Sequence, residues 1–227
     1  RRPAITRENK VGDTVIQSYV CGEWVSGAGA GATLYHAVSA EPIGRTGSEG
    51  LDFAAVLRYG RETGGPALRR LDFHQRAALV KRLAQHLMGL KEKFYAISAW
   101  TGATRADGWI DIEGGIGTAF SYASLARREF ASETFHVEGP AERLSARGGF
   151  IGRHILTPKH GVAVHINAFN FPCWGMLEKI APSLLAGVPA IVKPATVSCY
   201  LTEAMVREIV ASGILPPGAL QLICGGV

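Results

Sequence analysis

The sequence predicts an α/β protein, with half of a doubly wound parallel sheet over residues 161–227 and an N-terminal hairpin and helical part over residues 18–150. Three observations carry that reading. From Gly161 the segments "GVAVHIN", "PAIVKPA" and "ALQLICG" alternate with "FPCWGMLEKIAPSLLAG" and "SCYLTEAMVREIVASG", a strand, helix, strand, helix, strand order. The strand segments are continuously apolar, as in a parallel sheet covered on both faces. Before them, apolar residues recur at helical spacing from about Leu51 to Phe130.

In chain order, residues 1–17 carry little pattern. "SYVCGEWV" and "ATLYHAV", rich in aromatic and β-branched residues and separated by "SGAGAG", suggest a hairpin. Leu51, Ala54, Ala55 and Leu57 mark a helix with Ser48 or Glu49 near its start and Gly64-Gly65 at its stop. A second helix runs from about Asp72, with Phe73, Ala77, Val80, Leu83, Ala84 and Leu87 as its apolar stripe. The following helical stretch breaks at Thr101-Gly102. Within it, "DIEGGIG" is unusual, because each Gly costs about 1 kcal/mol relative to Ala in a helix; close helix packing or a substrate channel accounts for it. "HVEGPAERLSARGGF" reads as a polar loop and "GRHILTP" as a lone strand. Gly187 and Gly213 close the last two helices.

A chain that is 47% hydrophobic and 19% charged has the composition of a folded domain. The net charge of +5 is mild, and Arg69-Arg70 and Arg127-Arg128 lie apart on helices, so solvated faces are expected rather than a nucleic-acid stripe. No apolar run suggests a signal or membrane span, and the cytoplasm is the expected compartment. Cys21, Cys173, Cys199 and Cys224 show no C-x-x-C pairing and the histidines no metal-ligand spacing, so no metal is expected and the thiols read as buried and structural. The chain begins without methionine and stops at "LICGGV", and it is therefore expected to be part of a longer protein.

In an open α/β sheet, ligands bind beyond the carboxyl ends of the strands. The polar residues there are Asn167 and Asn170 after the first strand, and Lys193 and Thr196 after the second. No G-x-G-x-x-G follows the first strand. Asn170 suits either a helix cap, with Pro172 in the first turn, or a functional carboxamide.

"INAFNFP", "LEKIAPSLLAGVPAIVKPA" and "GILPPGALQLICGG" resemble the aldehyde dehydrogenase superfamily over nearly the whole chain. The resemblance implies a dinucleotide-binding domain in residues 161–227. Asn170 matches the oxyanion-hole asparagine, which donates to the oxygen of the thiohemiacetal. Ile166, Asn167, Ala168 and Phe169 match the turn along the cofactor, with Phe169 where many relatives have tryptophan. Lys193 matches the lysine at the adenosine ribose. Many NAD-preferring relatives carry glutamate where this chain has Thr196; a hydroxyl tolerates a 2′-phosphate that a carboxylate repels, so NADP is expected, unless Thr196 is simply a helix cap. Lys179 matches a lysine that many relatives keep. The nucleophilic cysteine and general-base glutamate of the family follow the third strand, beyond this chain. Cys173, in a first helical turn, is read as a packed thiol, with reactivity as the alternative.

Within the superfamily, "TGATRADGWIDIEGGIGT" and "HINAFNFPCWGMLEK" are most similar to the bifunctional branch of bacterial phenylacetate degradation, a dehydrogenase fused to an enoyl-CoA hydratase domain that opens oxepin-CoA. The substrate implied is a CoA-linked semialdehyde, and the assembly implied is a homo-oligomer joined through a β-hairpin to which "GRHILTP" contributes a strand. The alternatives are a single-function CoA-linked semialdehyde dehydrogenase of an aerobic benzoyl-CoA pathway, and a truncated product without catalysis.

Overall fold

The computed structural model describes residues 14–226. Five short strands open the chain: β1 (Val15–Ile16), β2 (Ser18–Val20), β3 (Glu23–Val25), β4 (Ala32–Tyr35) and β5 (Pro42–Thr46). The expected single hairpin is two. β2 and β3 pair with each other around Cys21 (φ 53°) and Gly22 (φ 88°), a two-residue turn in the left-handed region that matches strand twist. β4 pairs instead with β5, and β1 adds to β5 in parallel. Cys21 lies in that turn and is exposed, contrary to its reading as a buried thiol; Cys173, Cys199 and Cys224 are buried.

A long helical run follows: α1 (Phe53–Tyr59), a π turn at Gly60–Gly64 and α2 (Gly65–Arg69). Asp52, rather than Ser48 or Glu49, caps α1 by accepting from the Ala55 amide at 2.9 Å. Gly64-Gly65 does not stop the helix. A Cβ on Gly64 would stand 2.0 Å from the Gly218 carbonyl oxygen, so glycine is there for backbone approach. Then come α3 (Phe73–Gly89), opened by an Asp72–Gln75 capping box, α4 (Lys91–Ser98), α5 (Arg105–Gly108), a second π turn at Trp109–Gly114, and α6 (Gly115–Glu129). Gly102, at φ 84°, makes the predicted break between α4 and α5.

β6 (His136–Arg143) and β7 (Ile151–Leu156) pair antiparallel. The segment read as a polar loop is thus half of a ribbon, and "GRHILTP" is not a lone strand. Both strands are largely exposed, so the burial alternation that marks a strand in sequence is missing. The final unit is β8 (Ala163–Ile166), α7 (Trp174–Leu185), β9 (Ala190–Lys193), α8 (Cys199–Ala211) and β10 (Leu220–Leu222). Gly187 and Gly213, both at positive φ, end its helices.

The main sheet has the order β3-β2-β10-β9-β8, parallel from β10 to β8, with β2 antiparallel against β10. Side chains alternate between two helical layers. Ala190, Val192, Leu220 and Leu222 face the large core with α3, α6, α7 and α8, whereas Ile191 packs with Val56 of α1 and with Val20. Gln221 faces α1 as well; its amide donates to the Val56 carbonyl (2.9 Å) and its oxygen accepts from the Cys21 amide (3.0 Å). β9 and β10 are buried on both faces as expected, but β8 is not: Val164 is 56% and Ile166 77% exposed on the face where Ile191 meets α1, because α1 does not extend over β8.

The "DIEGGIG" stretch is a packing device. A Cβ on Gly115 would lie 2.8 Å from the Trp174 Cα, whereas one on Gly117 would meet nothing within 4 Å. Gly115→Ala is expected to lower stability by about 1–2 kcal/mol, since overpacking outweighs the roughly 1 kcal/mol gained in helix propensity. Gly117→Ala, lacking the clash, is expected to raise it by up to about 1 kcal/mol. Urea midpoints compare the two; equal shifts would show that α6 and α7 part freely.

Candidate functional site

The carboxyl ends of β8, β9 and β10 converge on one edge of the sheet. After Ile166 the chain leaves β8 through Asn167, whose amide still donates to the Lys193 carbonyl at 3.0 Å. Asn167 is only 5% exposed, and neither the nitrogen nor the oxygen of its side-chain carboxamide has a partner. Its Cγ and the Lys179 Nζ both lie 3.8 Å from the point where a Cβ on Gly175 would stand, so the two side chains share one niche beside the first turn of α7. Lys179 is anchored there, donating to the Gly175 carbonyl (2.9 Å) and pairing with Glu178 (2.7 Å). Ala168, Phe169 and Asn170 are exposed, Phe169 at 65%.

Asn170 does not cap α7. The helix starts at Trp174 with Cys173 in the cap position, and the acceptor for its first amides comes from 62 residues upstream. Asp111, 5% exposed in the π turn before α6, accepts from the Cys173 amide at 3.0 Å and the Trp174 amide at 2.8 Å. These bonds hold the Asp111 pKa down, but burial outweighs them and pushes it up to about 6. Cys173 is fully buried, and burial together with Asp111 drives its thiol well above the usual range. That environment suits a packed thiol and opposes the reactive alternative.

At the end of β9, Lys193 is half-buried and donates to the Pro194 carbonyl at 2.8 Å. Thr196 opens a short 3₁₀ turn without a side-chain capping bond, so the cap reading of Thr196 fails. Its hydroxyl lies 3.9 Å from the position of a Cβ on Gly226, just after β10. The structure therefore gathers Ile166 to Asn170, Lys179, Lys193 and Thr196 around one sheet edge. Sequence reasoning missed Asp111; its only signal was a carboxylate inside an apolar, glycine-bearing helix. Among the described residues, no group of three or more His, Cys, Asp or Glu side chains stands where a metal could be held. No helix there is long and apolar enough to cross a membrane.

A parallel α/β half domain with polar side chains beyond the carboxyl ends of its strands is an architecture of ligand-binding α/β enzymes. The chain belongs to the aldehyde dehydrogenase family, whose model matches residues 27–227. It is 43% identical over 212 residues to a 3,4-dehydroadipyl-CoA semialdehyde dehydrogenase of Aromatoleum evansii, covering 93% of this chain and 41% of that one. An N-succinylglutamate 5-semialdehyde dehydrogenase of Escherichia coli (strain K12) is 30% identical, with 92% and 40% covered. Among solved structures, a lactaldehyde dehydrogenase superposes with a TM-score of 0.80 at 21% identity, covering 93% of this chain and 42% of that one. A 3,6-anhydro-L-galactose dehydrogenase in complex with NAP does so with a TM-score of 0.78 at 21% identity, covering 94% and 43%. The chain thus spans about 40% of the length of the relatives it matches.

Proposed function

We propose that the protein carrying this chain oxidises a CoA-linked semialdehyde to the carboxylic acid with NADP as acceptor, and that Asn170 supplies the oxyanion donor. The observation that carries the residue assignment is the cap of α7. Because Asp111 satisfies the first amides of the helix, the Asn170 carboxamide has no structural duty and is exposed at the strand end. The substrate class rests on the 43% identity to a CoA-linked semialdehyde dehydrogenase.

Aldehyde dehydrogenases use a nicotinamide dinucleotide, which accepts hydride when bound. The residues at this edge fit such a group. Lys193 keeps donors beyond its bond to Pro194 for a ribose or phosphate oxygen, and the Thr196 hydroxyl has no partner among the described residues. Ile166, Ala168 and Phe169 are exposed along the path, and the buried side-chain carboxamide of Asn167 between them has no partner. Asn170 donates its N–H to the oxygen that becomes negative as a tetrahedral centre forms, a donor already placed before charge develops. Lys179, paired with Glu178, shares the niche of the Asn167 side chain beside the first turn of α7. The ribbon β6–β7, with Ile151 65%, Ile155 56% and Leu156 51% exposed, is the proposed self-association element of a cytoplasmic enzyme.

Thr196→Glu tests the cofactor assignment in the full-length protein. It is expected to weaken NADP at least about tenfold more than NAD, since a carboxylate beside a 2′-phosphate adds like-charge repulsion. Equal losses in dinucleotide titrations would remove the NADP argument. A second reading, favoured by "TGATRADGWIDIEGGIGT" and "HINAFNFPCWGMLEK", makes the protein bifunctional in phenylacetate catabolism, with a downstream hydratase opening oxepin-CoA. Turnover of 3-oxo-5,6-dehydrosuberyl-CoA semialdehyde in preference to 3,4-dehydroadipyl-CoA semialdehyde, with ring opening, supports the second reading; the reverse preference without ring opening supports single-function oxidation.

A further inference from the structure

We infer that Asp111 is the positioning residue for Asn170, acting through the amino end of α7; the inference rests on the oxyanion reading of Asn170. The turn from Asn167 to Trp174 is held at its ends, and between them the Phe171 carbonyl accepts from the Gly175 amide at 2.8 Å, which leaves Ala168 to Asn170 as the part without a bond among the described residues. At one end the Asn167 amide bonds to the Lys193 carbonyl (3.0 Å), and at the other the Thr202 hydroxyl donates to the Pro172 carbonyl (3.0 Å). Asp111 supplies the largest share of the second anchor, with Oδ1 on two successive amides at 3.0 and 2.8 Å and Oδ2 3.3 Å from the first of them. Cys173 offers no side-chain cap of its own, and it is fully buried, so water cannot replace the carboxylate.

The upstream helix is shaped to deliver that carboxylate. The π turn Trp109–Gly114 widens the helix at Asp111, a distortion that recurs at functional sites. Gly115 lets the Trp174 backbone approach to a distance that a methyl group would block, and Gly114 keeps the Trp174 ring close. Asn170 stands three residues before the doubly bonded Cys173, exposed and without a bond among the described residues, so its orientation follows from the anchors on either side. A carboxylate can accept from both amides at once. An asparagine in its place can keep one oxygen on both amides, but it puts an NH₂ where Oδ2 faces the Cys173 amide at 3.3 Å, donor against donor.

The test uses the full-length protein with 3,4-dehydroadipyl-CoA semialdehyde and NADP, comparing Asp111→Asn, Asn170→Ala and the double variant. Asp111→Asn is expected to lower kcat about tenfold with the KM for NADP within about twofold, and to speed amide exchange at Cys173 and Trp174. In the double variant the loss is expected to stay within about twofold of Asn170→Ala alone, because a residue acting through Asn170 has nothing left to position. Losses that multiply, or wild-type kcat in Asp111→Asn while Asn170→Ala is slow, would overturn the inference and leave the oxyanion reading standing. Wild-type kcat in Asn170→Ala overturns both. Should Asp111→Asn fail to accumulate folded, Asp111→Ser, which retains one acceptor at a helix N-terminus, is held to the same outcomes.

Discussion

Asn170→Ala in the full-length protein is expected to lower turnover by about 10²–10³, the usual consequence of deleting one preorganised oxyanion donor. The substitution removes nothing that the fold uses. Asn170 is exposed, α7 is capped by Asp111, and the turn is tied through Asn167, Pro172 and Cys173. Stability and dinucleotide affinity are therefore expected to change little, and the loss should appear in kcat and in kcat/KM alike. Steady-state kinetics with a dinucleotide titration checks this. Wild-type turnover, or a loss confined to dinucleotide binding, would end the oxyanion assignment.

The second large effect is a pH dependence of stability traced to Asp111. Its pKa rises from the ordinary 3.8 to about 6 because burial disfavours the charged form by more than the two amides favour it. The folded state then holds its proton more tightly than the unfolded state. Stability from this group is present below about pH 4, falls as pH rises toward about 6, and stays lower above that. A rise from 3.8 to about 6 corresponds to about 3 kcal/mol over the whole titration. Glu203, also raised by burial, acts in the same direction, while Asp72 and Glu113, lowered by their hydrogen bonds, act oppositely. Comparing wild type with Asp111→Asn cancels those contributions. The wild type is expected to lose about 2 kcal/mol relative to the variant between pH 4 and pH 7, read from urea unfolding at several pH values. A constant difference would show that Asp111 is charged throughout that range.

Much of the sheet edge was legible because its residues are adjacent in sequence. Asn167 to Asn170 interrupt an apolar run at its end, and Lys193 to Thr196 repeat the pattern one strand later, so strand order alone brings them together. Gly187 and Gly213 marked helix ends through local backbone chemistry. Gly64-Gly65 carries the same dipeptide signal and means something else. There the helix continues, and the glycine admits the Gly218 backbone more than 150 residues later in the chain. The ribbon β6–β7 was illegible for a different reason: both of its faces are exposed, and without a buried face no alternation is written into the residues.

The sequence by itself determined the parallel β-α-β-α-β unit, the family, and the carboxamides and lysine at its strand ends, because short-range periodicity and contiguous motifs encode them. Tertiary structure alone decided that β2 joins the sheet beside β10, that β8 keeps one face open, and that α7 takes its cap from Asp111. The first and last are pairings between groups far apart in the chain, chosen by which buried donors find acceptors once the core has closed, and the open face of β8 is where no distant helix arrives to cover it.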